Sequence, residues 1–202
     1  MDIIRESVNK LETILGHSGC EDAGVLLDVD PDAVTCQFEQ GACMTASFGG
    51  RSAVFVTHDP VRALTKISFM FGAPLETPAV RSAAGAIVNV AAGFFCLSRV
   101  LHPCPKTSHA PCLQELKNEI SGKRVSCIGT MASIERELGS SFSTEISEAD
   151  VILINGEGII AKDTGHLIEA HTRTKRILCL GPSTAGNARL HEIEHWCPYG
   201  TS

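Results

Sequence analysis

The chain has 202 residues, 44% of them hydrophobic and 20% charged, with a formal net charge of −6 at pH 7. These are the proportions of a folded globular protein and not of a disordered one. The acidic balance excludes an electrostatic nucleic-acid binder, which needs a basic patch to engage phosphates.

The length allows one large domain or two small ones, either able to bury a core without covalent staples. The start, Met1-Asp2-Ile3-Ile4-Arg5-Glu6, is charged from its second residue, unlike a secretory leader. The most apolar stretch, residues 83–97, is shorter than the roughly 20 residues that span a bilayer and carries Asn89. A soluble, cytoplasmic protein with no membrane partner is expected, and its nine cysteines are expected to be reduced thiols used for packing or for metal.

Residues 2–15 read as an amphipathic helix, with Ile3, Ile4, Val8, Leu11, Ile14 and Leu15 on one side and Gly16 ending it. Residues 24–29 and 34–38 read as strands about the turn Asp30-Pro31-Asp32. Residues 42–48 and 52–57 form a further pair around Gly49-Gly50, a hairpin dipeptide. Asp59-Pro60 is an N-cap followed by proline at the first helical position, which predicts a helix to about Phe71. Pro74 and Pro78 break the chain before a second helix over residues 79–101. Small residues on nearly every side of that helix, among them Ala84, Gly85, Ala92 and Gly93, let neighbouring backbones come close, which makes it central.

Pro103, Pro105 and Pro111 mark a linker. Beyond it strand and helix alternate: helix 113–120, strand 124–128, helix 132–138, strand 151–154, helix 164–172, strand 177–180 and an edge strand within 194–199. Such βαβ order implies a parallel sheet with right-handed crossovers. The expected fold is therefore α/β in two parts. An N-terminal α+β domain over residues 1–105 holds an antiparallel meander plus helices. A linker, 106–112, leads to a Rossmann-like parallel-sheet domain over residues 113–202.

Three turns at the carboxyl ends of the predicted parallel strands form a crest, where ligands of open α/β sheets sit. They contribute Thr130; Asn155, Gly156, Glu157 and Gly158; and Gly181, Pro182, Ser183 and Thr184. Gly156 to Ala161 fits the dinucleotide pattern G-x-G-x-x-A after a strand, but no acid ends the next strand to hold a ribose. Glu76, Arg81 and Asn89, along one side of the long helix, supply polar groups suited either to a ligand or to the helix start. His102, Cys104, His109 and Cys112 make an N2S2 set suited to zinc or another soft metal, with an exposed linker as the plain alternative. His191-Glu192-Ile193-Glu194-His195 spells H-E-x-x-H, but Pro198 stops any helix and no third ligand follows, so a protease is not expected.

Several of these segments resemble the heavy-metal-chelation family, two-domain proteins of unassigned activity. The resemblance lies in Pro74-Leu75-Glu76 with residues 83–89, in residues 149–156, and in Leu180-Gly181-Pro182-Ser183-Thr184. It implies an enolase N-terminal-like first domain, a Rossmann-like second domain and a ligand cleft between them. It also implies handling of a metal ion or metal-containing small molecule. The expected ligand is thus a small molecule or a transition metal such as Zn, Ni, Co or Fe; homo-oligomers are compatible with the sequence. The alternative is a transferase-type enzyme using a nucleotide or S-adenosylmethionine at the crest.

Overall fold

A computed structural model describes residues 1–202 of the chain. Helix α1 (Ile3–Leu15) begins where Asp2 accepts the Arg5 N–H at 3.2 Å and buries the predicted stripe of Ile3, Ile4, Val8, Leu11 and Leu15. Strands β1 (Gly24–Asp30), β2 (Ala42–Phe48), β3 (Arg51–Thr57) and β4 (Ala63–Lys66) form an antiparallel sheet in the order β3-β2-β1-β4. Gly49 and Gly50 both take positive φ and close the β2–β3 hairpin with Phe48 opposite Arg51, the backbone twist that two-residue hairpins favour.

Two expectations for this half fail, for one reason. Residues 34–38 form no strand, and residues 59–71 form β4 and a 3₁₀ turn (Ile67–Met70) in place of a helix. Strand β1 pairs with β2 on one edge, and its other edge takes up Ala63–Lys66, Leu27 facing Ala63 and Gly24 facing Lys66. Ladder pairing along a whole strand outweighs the local helix-start signal of Asp59-Pro60. Neither edge of β1 is left for residues 34–38, which depart from the sheet altogether.

Helix α2 (Pro78–Phe94) is capped by Thr77, whose hydroxyl accepts the Val80 N–H at 3.3 Å, with Pro78 in the first turn. It stops seven residues before the predicted end, Leu101. Cys96 takes φ 57°, Cys96 N–H reaches Gly93 C=O and Leu97 N–H reaches Ala92 C=O. That pair of bonds around a left-handed residue closes a helix as a Schellman motif does. The central position is observed: α2 packs on β2 and β3 and on elements of the second half. Phe55 lies where a Cβ on Gly85 would stand.

Helix α3 (His109–Glu119) starts inside the segment read as linker, so His109 and Cys112 are helical residues. Strands β5 (Val125–Ile128), β6 (Val151–Ile154), β7 (Arg176–Leu180) and β8 (Glu194–Trp196) form the second sheet, all parallel and in chain order. Helices α4 (Ala132–Leu138), α5 (Gly156–Ile160), α6 (Thr164–His171) and α7 (Ala185–Leu190) fill the crossovers. This is the two-part α/β architecture expected, with an antiparallel sheet and a separate parallel one.

The larger apolar cluster spans both halves, joining Phe55, Ile87 and Leu11 to Ile152, Ile154, Ile177 and Ala188. A smaller one lies on the other face of the parallel sheet, where Leu116, Ile134, Leu153 and Leu180 meet Cys36 and Phe38. No helix is long and apolar enough to cross a membrane.

Candidate functional site

The crest turns largely inward. Asn155 caps α5, accepting the Gly158 N–H at 3.0 Å, and donates to the carbonyls of Thr130 and Phe38, each at 3.0 Å. A Cβ on Gly158 would stand 2.1 Å from the Ile128 carbonyl oxygen. Gly158 in the G-x-G-x-x-A pattern thus permits close contact between turn and strand. Ser183 and Thr184 are fully buried. Ser183 Oγ accepts the Val56 N–H at 2.9 Å, and Thr184 Oγ1 donates to Leu180 and Gly181 carbonyls at 3.1 and 3.0 Å. Asn89 completes the junction with bonds to Pro182, Ser183 and Gly186.

What stays open is a cleft of about 380 Å³ beside this junction. The first half lines it with Thr57, His58, Asp59, Glu76 and Arg81, and the second with Glu157, Ile160 and Lys162. Three of the residues singled out in the sequence thus share one wall or another of it: Glu76, Arg81 and Glu157. Glu76 pairs with Lys162 across the cleft and lies 3.7 Å from Arg5. The hydrogen bond and charge of Lys162 hold the exposed Glu76 carboxyl below its ordinary value. Glu157 accepts the Thr130 N–H at 2.9 Å, which ties the exposed Thr130 to the cleft's edge.

Arg81 offers the cleft little. Its side chain is 3% exposed and donates to both Asp2 oxygens, at 2.7 and 2.9 Å, to Leu75 C=O at 3.2 Å and to Ile160 C=O. Burial would raise the Asp2 carboxyl, but the Arg81 hydrogen bonds, the Arg5 N–H and both guanidinium charges outweigh it and leave it lowered. His58 and Asp59 are the functional candidates that the sequence reading missed. The proline after Asp59 marked it as a helix cap, and only the turn after β3 places it here.

The His/Cys set is dispersed. His102 Nε2 sits 3.2 Å from Ser52 Oγ, and its backbone bridges Thr201. His109 Nε2 is buried without a partner. Cys104 and Cys112 are buried thiols that neighbour Cys36 and Cys197, and burial raises all four, Cys197 to about 12. All nine cysteines are free. No three His, Cys, Asp or Glu side chains are grouped so as to hold a metal ion. The H-E-x-x-H stretch is not helical: α7 ends at Leu190, and His195 lies on β8 with Nε2 2.9 Å from Gly181 C=O.

One acid stands apart. Glu39, on the loop between β1 and β2, is buried with both carboxylate oxygens unpartnered. Burial pushes its carboxyl up to about 8, with Ser183 as the only group opposing the shift.

No protein-family model matches the chain, and no curated protein matches it. Two solved structures share its fold, both of proteins of unknown function from the DUF364 family. The one from Pyrococcus horikoshii is 15% identical over 90% of this chain and 79% of its own, with a TM-score of 0.51. The one from Desulfitobacterium hafniense is 15% identical over 93% and 82%, with a TM-score of 0.52. At that identity the likeness concerns the fold alone.

Proposed function

We propose that this protein binds a metal-bearing or similarly polyvalent small molecule in the cleft between its two halves. The supporting observation is that Asp59, Glu76 and Glu157, from three separate segments and both halves, line one cleft of about 380 Å³. That volume is at the small end for ligand sites, and its polar lining suits a hydrated, charged ligand better than an apolar one. Carboxylates with one imidazole, His58, suit a divalent transition metal such as Zn, Ni, Co or Fe. They do not converge as a bare ion requires, so a metal carried by a small chelator fits the spread of donors better. Lys162 would then face the chelator's own anionic groups, and the cargo is bound and released without covalent chemistry by this chain.

Titration calorimetry and thermal shift test this with each metal alone and as its citrate complex. A ligand at 100 times its Kd adds about 2.7 kcal/mol of stability. The gain is expected with a metal complex and is expected to vanish in an Asp59→Asn, Glu157→Gln double variant. Stabilisation by nucleotides or S-adenosylmethionine, with none from any metal complex, would instead favour the transferase reading.

A further inference from the structure

Residues 31–41 leave the antiparallel sheet and lie across the second half. They contain no helix or strand; a single turn, Glu39 N–H to Cys36 C=O at 3.0 Å, shapes the middle. Their attachment to the second half combines three hydrogen bonds with the buried Cys36 and Phe38 side chains. Ser133 Oγ donates to Gln37 C=O at 3.0 Å, Asn155 Nδ2 to Phe38 C=O at 3.0 Å, and Gln37 Nε2 to His109 C=O at 2.6 Å. Cys36 and Phe38 add apolar contact.

Glu39 is the odd member of this attachment. Its Oε1 is 3.3 Å from where a Cβ on Gly156 would stand, and its carboxyl carbon 3.1 Å from the same point at Gly181. It is thus wedged between the turns that follow β6 and β7, the place where ligands of open α/β sheets sit. Cys36 Sγ lies 3.2 Å from that point at Gly181. The groups facing the carboxyl are the thiols of Cys36, Cys43 and Cys197 and the hydroxyl and backbone N–H of Ser183, the last two favouring its ionised form less than burial opposes it. His195, on β8, bonds Gly181 through Nε2, and burial lowers its pKa, which disfavours its charged form. Nothing cationic neutralises Glu39, so burial disfavours its ionised form in this site.

We infer that residues 31–41 are a strap that covers the crest while Glu39 is protonated and lifts away as Glu39 ionises, uncovering the turns after β6 and β7. The inference is independent of the proposed cleft ligand. Its sign follows from linkage: the seated acid titrates near 8 and the released one near 4.5. Seating is therefore strongest below the lower value and weakens as pH rises toward the upper one. The opening constant rises by about tenfold per pH unit across that window and levels off above it.

Hydrogen exchange of the peptide spanning residues 31–41, each rate divided by its intrinsic rate, reads this directly. A peptide containing β6 serves as reference. Between pH 5.5 and pH 7.5 the wild-type strap is expected to lose about a hundredfold of protection relative to β6. Glu39→Gln, or Glu39→Met should the first fail to fold, is expected to give a flat profile. A flat wild-type profile overturns the inference without any variant, and so does a pH-dependent loss that persists in either variant.

Discussion

The Asn89 side-chain amide on α2 donates to Ser183 C=O at 2.9 Å and to Pro182 C=O at 3.1 Å, while its oxygen accepts the Gly186 N–H at 2.9 Å. One buried side chain thereby satisfies three backbone groups of the turn after β7. The turn and the long helix are two sides of a closed joint, and the open cleft lies beside it.

Removing that amide takes a bond from the Ser183 C=O and the Gly186 N–H, while Pro182 C=O keeps the Ala185 N–H; a buried group left unpartnered costs about 1–3 kcal/mol. Asn89→Ala is expected to destabilise the protein by about 3 kcal/mol or more. Urea denaturation followed by circular dichroism measures it, and a loss below about 1 kcal/mol would show that water replaces the amide.

Arg81 joins three segments through Asp2, Leu75 and Ile160. Breaking a buried ion pair by removing one partner typically costs 3–5 kcal/mol, and about 3 kcal/mol is expected for Arg81→Met because Asp2 is partly exposed. The lowered Asp2 carboxyl contributes stability that is present above its ordinary value of 3.8 and is lost as pH falls through the lowered one. The wild type should therefore lose more stability than Asp2→Asn on going from pH 5 to pH 2.5. Denaturation curves for both at the two pH values decide it.

His191 Nε2 lies 3.0 Å from Ser7 Oγ and 3.2 Å from Ile3 C=O. Burial first, then the Lys10 charge, lower its pKa to about 4, against the weaker pull of Ile3 C=O. A histidine held neutral in the fold binds protons only on unfolding, so stability falls as pH drops from 6.5 toward about 4. NMR titration of the imidazole should find it neutral at pH 5.5, and His191→Gln should flatten the stability profile in that window.

Thiol chemistry should be confined to few sites. Among the nine free cysteines only Cys96 is exposed, while Cys36, Cys43, Cys104, Cys112 and Cys179 are buried. Brief alkylation of the native protein at pH 7, read by peptide mass spectrometry, should modify Cys96 at least tenfold faster than those five. Equal labelling would contradict the burial described.

Local patterns in the chain were enough for α1, the β2–β3 hairpin, α4, β6 and the parallel order of the second sheet. Each rests on periodicity or on a turn dipeptide acting between near neighbours. The Gly-rich turns after β5, β6 and β7 were legible as turns for the same reason. Their role was not, because whether Ser183 Oγ meets a ligand or Val56 N–H depends on a residue 127 positions away. Likewise, Glu39 directly follows residues 34–38, which read as a strand. Its burial depends on β1 having both edges paired elsewhere.

Residue types and spacing by themselves determined an acidic two-part α/β chain with a central helix of small residues, since hydrophobic period and turn chemistry are short-range. Only the tertiary structure decided that the crest is closed by Asn89, Ser183 and residues 31–41, and that the open polar cleft gathers Asp59, Glu76 and Glu157. Those groupings come from long-range packing, in which most buried donors and acceptors find a partner, and spacing along the chain carries no record of that search.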